Sequence, residues 1–205
     1  MNWALIRGER QFSLSIIQVA SGVDTGPILA ERAFPITRDA TIADLHAIAD
    51  AQFPTMLTDV VAQISQGTIA AIPQDALRAA YFPLRFPDDG FILWDCLTAE
   101  QVHNRIRALT HPYPGAWTLF RGKVVKLLQS EFVTIPTYGE PGRIYRMSER
   151  GLLVCAMDRC LWITRAAFEG YGGDVRTVVR RYDQFATVRQ AALEALRAPA
   201  SVIAI

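Results

Sequence analysis

Cysteine and histidine are scarce, with three of each among 205 residues. The cysteines, Cys96, Cys155 and Cys160, are too few and too odd a set for a secreted disulfide framework, which points to a reducing compartment and to the cytoplasm by default. Cys155 and Cys160 lack the tighter spacing, second pair and nearby histidine of a structural zinc site, so they are expected to be buried, inert thiols, with no metal. His46, His103 and His111 are scattered, and none stands in order with a nucleophile to compose a hydrolase triad. No Gly-x-Gly-x-x-Gly or phosphate-loop pattern occurs. Charge of one sign is missing too. With 21 basic against 20 acidic residues, no global field steers the chain toward nucleic acid or an anionic membrane. Neither a membrane-length apolar run nor a basic leader with an apolar core is found.

What is present is apolar side chains, 51% of the total, enough to bury one core or two small ones. Phe12, Leu14 and Ile16 alternate with Ser13, Ser15 and Ile17 and predict a strand that ends at Ser21-Gly22. A second strand is expected over 27–34, after a tight turn, Gly22-Val23-Asp24-Thr25-Gly26, whose glycines would supply positive φ. Thr41 and Asp44 form a capping-box pattern. Ile42, Leu45, Ala49, Phe53, Leu57, Val60 and Ile64 then predict a long helix with one buried face, kinked by Pro54. Strand, turn, strand and helix are too little for an α/β sheet domain, so this opening reads as the end of a domain.

The run Tyr81-Phe-Pro-Leu-Arg-Phe-Pro-Asp-Asp-Gly90 reads as a linker. The expected organisation is a partial domain over 1–82, a crossing segment over 83–97 and a second domain over 98–205. The second domain opens with a helix capped by Thr98 and Gln101, carrying Val102, Ile106 and Leu109 on one face and ending before Pro112. From Trp117 the texture changes to short β-rich runs, WTLF, KVVKLLQ, FVTI, GRIYRM, LLVCAM and CLWITRA, which predict a small barrel or sandwich. A surface helix is expected over 188–197.

Asp24 is the one acid set between the first two strands. It reads either as a turn residue bonding its own backbone or as a carboxylate at a strand end, where α/β proteins place their chemistry. Arginines thicken toward the C-terminus at positions 143, 146, 150, 159, 165, 176, 180, 181 and 189, interleaved with Glu149, Asp158, Glu169, Asp174 and Asp183. A solvated face is favoured over an anion-binding face for a nucleotide, a diphosphate or RNA.

Read in order, several stretches resemble the 10-formyltetrahydrofolate-dependent formyltransferases. They are Asn2-Trp-Ala-Leu-Ile-Arg-Gly-Glu9, Val23-Asp-Thr-Gly-Pro-Ile-Leu-Ala30, Asp44-Leu45-His46, Phe-Pro-Asp-Asp-Gly-Phe-Ile-Leu-Trp94, Val102-His-Asn-Arg-Ile-Arg-Ala108, Pro112-Tyr-Pro-Gly-Ala116 and Glu140-Pro-Gly142. The wording is similar above all to sugar-nucleotide formyltransferases of the UDP-4-amino-4-deoxy-L-arabinose type. The resemblance implies the C-terminal part of a Rossmann-like α/β domain followed by a small OB-like β-barrel. It implies 10-formyltetrahydrofolate as co-substrate and the amine of an amino sugar nucleotide as acceptor. Asp24 matches the family's catalytic Asp-x-Gly turn, whereas the Asn, the His and the Ser-Leu-Leu-Pro loop of that family have no counterpart, so Met1 is expected at an internal position and this chain alone to be inactive. Arg85, before Pro-Asp-Asp, is similar to an arginine that would clamp a substrate phosphate or carboxylate. Tyr81 and Tyr113 would stack on a base or sugar, against the commoner reading of half-buried aromatics near a junction. Two alternatives stay open: a methionyl-tRNA formyltransferase using the arginine-rich face on RNA, and a non-catalytic binding or self-associating module. Near-neutral charge weighs against the first; no membrane partner is implied.

Overall fold

The computed structural model describes residues 1–170 and 174–197. The chain divides into two compact units, Met1–Arg85 and a second from Phe86 onward.

In the first unit α1 (Asn2–Arg7) leads into β1 (Gln11–Ile17), which pairs antiparallel with β2 (Ile28–Pro35). Alternation decides which face of β1 is covered, with Phe12 and Leu14 buried and Ser13 and Ser15 exposed. Phe12 lies opposite Phe34, ring centroids 5.7 Å apart. Helix α2 (Ile42–Ser65) starts where the capping pattern puts it: the Asp44 carboxylate accepts from both Thr41 N and Thr41 Oγ1 at 2.7 Å. Its face of Ile42, Leu45, Ala49, Met56 and Val60 closes a core with Leu5, Phe12, Leu14 and Ile36. Apart from Ala49, each such side chain contributes about 1.5–3 kcal/mol on burial.

Helix α2 continues through Pro54, whose carbonyl accepts from Thr58 Oγ1 at 2.9 Å. One expectation for it fails, because the predicted single buried face is too wide: Phe53, Leu57 and Ile64 are 40%, 54% and 52% exposed. A two-stranded hairpin offers too little surface to cover a stripe of that width over 24 residues.

The second unit opens with a short 3₁₀ turn, Pro87–Gly90. Ile92 N then donates to Trp117 O at 2.8 Å, and Ile92 and Trp94 are fully buried. Helix α3 (Ala99–Leu109) carries the reciprocal Thr98 and Gln101 bonds, and Val102, Ile106 and Leu109 are buried as their spacing predicts. Strands β3 (Ala116–Phe120), β4 (Lys123–Phe132), β5 (Ile144–Ser148), β6 (Gly151–Cys155) and β7 (Cys160–Phe168) form an antiparallel sheet in the order β3-β4-β7-β6-β5. Of the predicted run FVTI only Phe132 lies in a strand.

Among the described residues the β-rich half is thus an open sheet whose strands do not close into a barrel. Residues 182–186 span the gap between its edges. Ile144 N donates to Asp183 O and Phe185 N to Gly142 O on one side, while Ala186 N donates to Leu119 O on the other. Cys155 and Cys160, expected as free thiols, are buried as foreseen but joined in a disulfide. They are cross-strand partners whose amides donate elsewhere, to Arg143 O and Thr137 O, the class of antiparallel pair in which side chains approach most closely. Helix α4 (Val188–Arg197) follows, its first amides held by the Asp95 carboxylate: Val188 N at 3.2 Å and Arg189 N at 2.8 Å.

Candidate functional site

The link between β1 and β2 is a loop over 18–27, not a tight turn. Gln18 N donates to Pro27 O at 2.9 Å and closes its base. The left-handed position falls on Asp24, φ 54°, a conformation that aspartate tolerates better than most residues, and not on either glycine. Gly26 is needed for space. A Cβ there would lie 1.6 Å from the Gln18 carbonyl oxygen, which the strand end cannot move. Gly26→Ala is expected to lower the stability of the first unit by about 1–3 kcal/mol, the usual cost of overpacking, read as a drop in denaturant midpoint at constant slope.

Asp24 is exposed at the loop tip, and its carboxylate makes no hydrogen bond or ion pair among the described residues. Its backbone is not left to itself. Ile28 and Ile72 exchange both backbone hydrogen bonds, 2.8 and 2.9 Å, which lays residue 72 beside the loop exit. Two residues on, Gln74 Nε2 donates to Asp24 O at 2.7 Å and to Gly26 O at 2.6 Å. Gln74 carries no local signal in the sequence, because its partners lie some fifty positions back.

Tyr81 and Arg85 lie on the extended segment that ends the first unit, Tyr81 89% exposed and Arg85 half-buried. That segment is pinned to α1: Trp3 stacks on Phe82 at 5.5 Å and donates through Nε1 to Pro83 O at 3.2 Å. No hydrogen bond or ring contact among the described residues joins Tyr81 to Asp24. Tyr113 belongs to the other unit, its amide donating to Thr110 O at 3.1 Å. Within the first unit it is Gln74, and not Tyr81, that hydrogen-bonds the Asp24 backbone.

In the second unit the arginines separate into two sets. Arg150, Arg159, Arg176 and Arg189 pair with Glu131, Asp158, Asp174 and Glu140. A hydrogen bond from the Arg176 side chain holds the Asp174 carboxyl below the usual carboxylate range. Arg143, Arg146, Arg165, Arg180 and Arg181 make no ion pair among the described residues. Arg143 immediately precedes β5, Arg146 lies on it, and Arg180 and Arg181 lie on the segment after residue 179. Arg143 donates to Tyr182 O and Gln184 Oε1, both at 3.1 Å, and Arg181 Nε donates to Tyr145 O at 3.1 Å. The Arg181 guanidinium stands 4.6 Å from the Tyr182 ring centroid, and Tyr182 meets Tyr145 edge-on at 6.3 Å. The neighbouring acid Asp183 is engaged with Arg121 and with the Arg180 amide. Among the described residues no group of three His, Cys, Asp or Glu could hold a metal ion.

The class defined so far is an open antiparallel sheet with a leading helix, preceded by a hairpin-and-helix unit that presents a carboxylate. Residues 86–171 match the family of formyl transferase C-terminal domains. The methionyl-tRNA formyltransferase of Anaeromyxobacter sp. (strain K) is 33% identical over 174 residues, 83% of this chain and 55% of that protein. A variant of HypX from Aquifex aeolicus superposes with a TM-score of 0.62 at 22% identity, over 80% of this chain and 30% of that one. An N-formyltransferase from Helicobacter canadensis, solved with folinic acid and dTDP-3-aminofucose, gives 0.61 at 18% identity, over 78% of this chain and 57% of that one. The chain spans about half the length of the curated relatives it matches. It carries the C-terminal domain of the formyltransferase family.

The subtype expectation is corrected by these relatives. The sugar-nucleotide reading rested on the wording around Pro-Asp-Asp and Pro-Tyr-Pro-Gly-Ala, yet methionyl-tRNA formyltransferases match at 30–33% identity. The sugar-enzyme likeness, at 18%, is one of fold alone. Near-zero net charge had weighed against the tRNA alternative, but a total says nothing of which arginines are in ion pairs.

Proposed function

We propose that this chain is the acceptor-side part of a formyltransferase that passes the formyl group of 10-formyltetrahydrofolate to the amine of methionyl-tRNA. The observation that carries the reading is the 33% identity to a methionyl-tRNA formyltransferase across 83% of the chain, through both units. Arg143 and Arg181, neither in an ion pair among the described residues, lie beside the half-exposed Tyr182 ring and support it, since guanidinium groups next to an exposed ring suit a phosphate backbone and unpaired bases.

In the reaction the amine nitrogen attacks the formyl carbon, the carbonyl becomes a tetrahedral oxyanion, and collapse breaks the bond from carbon to N10 of the folate. The amine sheds a proton as the new bond forms, and N10 needs one as it leaves. Asp24 is the residue assigned to hold the amine and take its proton, being an exposed carboxylate on a fixed loop that no other group among the described residues has claimed. Tyr81, Arg85 and Tyr113 are assigned to the acceptor.

The test is formyl transfer by the complete protein to methionyl-tRNA, together with RNA affinity as a function of salt. Binding is expected to weaken linearly on a log–log plot, and Arg146→Ala and Arg181→Ala each to lower the slope by about 1. Salt-independent binding, or slopes unmoved by both substitutions, would remove these arginines from the reading. Absence of transfer to methionyl-tRNA would remove the reading itself.

A further inference from the structure

We infer that Gln74 is a positioning residue for Asp24: its side-chain amide braces the 18–27 loop in the conformation that presents the carboxylate. The inference rests on the reading of Asp24 as the group that engages the amine.

A primary amide has two N–H donors. Gln74 spends its Nε2 on the two carbonyls that flank Thr25, Asp24 O at 2.7 Å and Gly26 O at 2.6 Å. No other group among the described residues donates to either oxygen. The Asp24 backbone is left-handed, φ 54°, a state that surroundings must hold for a residue with a Cβ. Inside the hairpin the loop is fixed only at its base, by Gln18 N to Pro27 O, and by the close fit of Gly26 under the Gln18 carbonyl. The tip depends on a brace from elsewhere.

That brace is itself anchored. Ile72 exchanges both backbone bonds with Ile28, the first residue of β2, and Pro73 has its φ locked by its ring. The amide of Gln74 is thus delivered to the loop from the strand that the loop enters. Rotation of Asp24 out of its left-handed state would swing carbonyl and carboxylate together, so a side chain that holds the carbonyl also aims the acid.

The chemistry of the two contacts gives variants that separate bracing from bulk. Methionine keeps length and loses both donors. Asparagine keeps the donors and is one methylene too short. Glutamate keeps length, but ionised it turns an acceptor toward two carbonyl oxygens, and only when protonated can it donate one bond.

The experiment uses the complete protein and measures backbone amide exchange across 18–27, melting temperature, and kcat and KM for formyl transfer as a function of pH. In Gln74→Met and Gln74→Asn, loop exchange is expected to rise and kcat to fall by up to about 100-fold, the cost of an ångström-scale misplacement, with KM for the folate and melting temperature unchanged. For Gln74→Glu the ratio of its kcat to that of the wild type should rise as pH falls, whereas the ratio for Gln74→Met stays flat. Unchanged loop exchange in Gln74→Met overturns the inference whatever the activity. A fall in kcat that merely tracks a fall in melting temperature overturns it as well. Raised exchange, in a protein whose turnover is indifferent to Asp24→Asn, leaves the brace in place and overturns its catalytic consequence together with the reading of Asp24.

Discussion

Asp24→Asn lowers kcat for formyl transfer by about 10²–10⁴-fold, the range a positioned general base supplies, and leaves the melting temperature unchanged. Two observations set that expectation. The carboxylate is exposed and makes no hydrogen bond or ion pair among the described residues, so its loss removes no folded-state contact. Asparagine also tolerates the left-handed backbone found at this position, φ 54°, so the loop is kept while the proton acceptor is lost. The measurement is single-turnover transfer at saturating folate, with thermal unfolding alongside. A loss confined to KM for the acceptor would make Asp24 a residue that holds the amine without deprotonating it. A loss below tenfold in both constants would take the chemistry away from this loop.

Trp94→Ala has the largest expected effect on stability, about 3–5 kcal/mol from the second unit. Trp94 is fully buried, stacks on Phe185 with centroids 5.7 Å apart, and donates from Nε1 to Thr118 Oγ1 at 3.0 Å. Removing the indole opens a cavity between the chain that enters the unit and the segment that spans the sheet edges. It also strands the hydroxyl of Thr118, itself fully buried. Against a whole-domain stability of about 5–15 kcal/mol, that loss leaves the unit close to its threshold. Trp94→Phe separates the two causes, since it keeps a ring and deletes the donor; about 1–3 kcal/mol is expected for the orphaned hydroxyl. Guanidinium melts of the three proteins decide it. A Trp94→Ala cost under 1 kcal/mol would mean that the core repacks around the loss.

How much of this was legible depended on sequence distance. Helix starts were readable because a cap and its partner sit three residues apart, as in Thr41 with Asp44 and Thr98 with Gln101. Strands β3 to β7 were readable as apolar runs. Which apolar residues of α2 are covered was not, because periodicity assigns a face and the neighbour decides how much of it is used: Met56 is 1% exposed and Leu57 54%. Glycine chemistry misdirected the reading of the 18–27 loop, where the positive φ falls on Asp24 and Gly26 answers to a steric contact. Gln74 was invisible for the same reason that it matters, since it joins parts of the chain that only the fold brings together. Which arginines lack an acidic partner was hidden by arithmetic: the sequence counts charges, and the fold shows which have been spent on ion pairs.

The Asp95 carboxylate that caps α4 has a consequence for chain order. Together with the bonds from Ile92 to Trp117 and from Ala186 to Leu119, it lays the way into the second unit alongside the way out. A unit whose entry at 92–95 runs beside the start of its last helix does not need its ends where they fall. It should accept circular permutation: a flexible linker returning along α4 would join the segment after Arg197 to Phe86, and the chain would be opened at the exposed Arg121-Gly122 turn between β3 and β4.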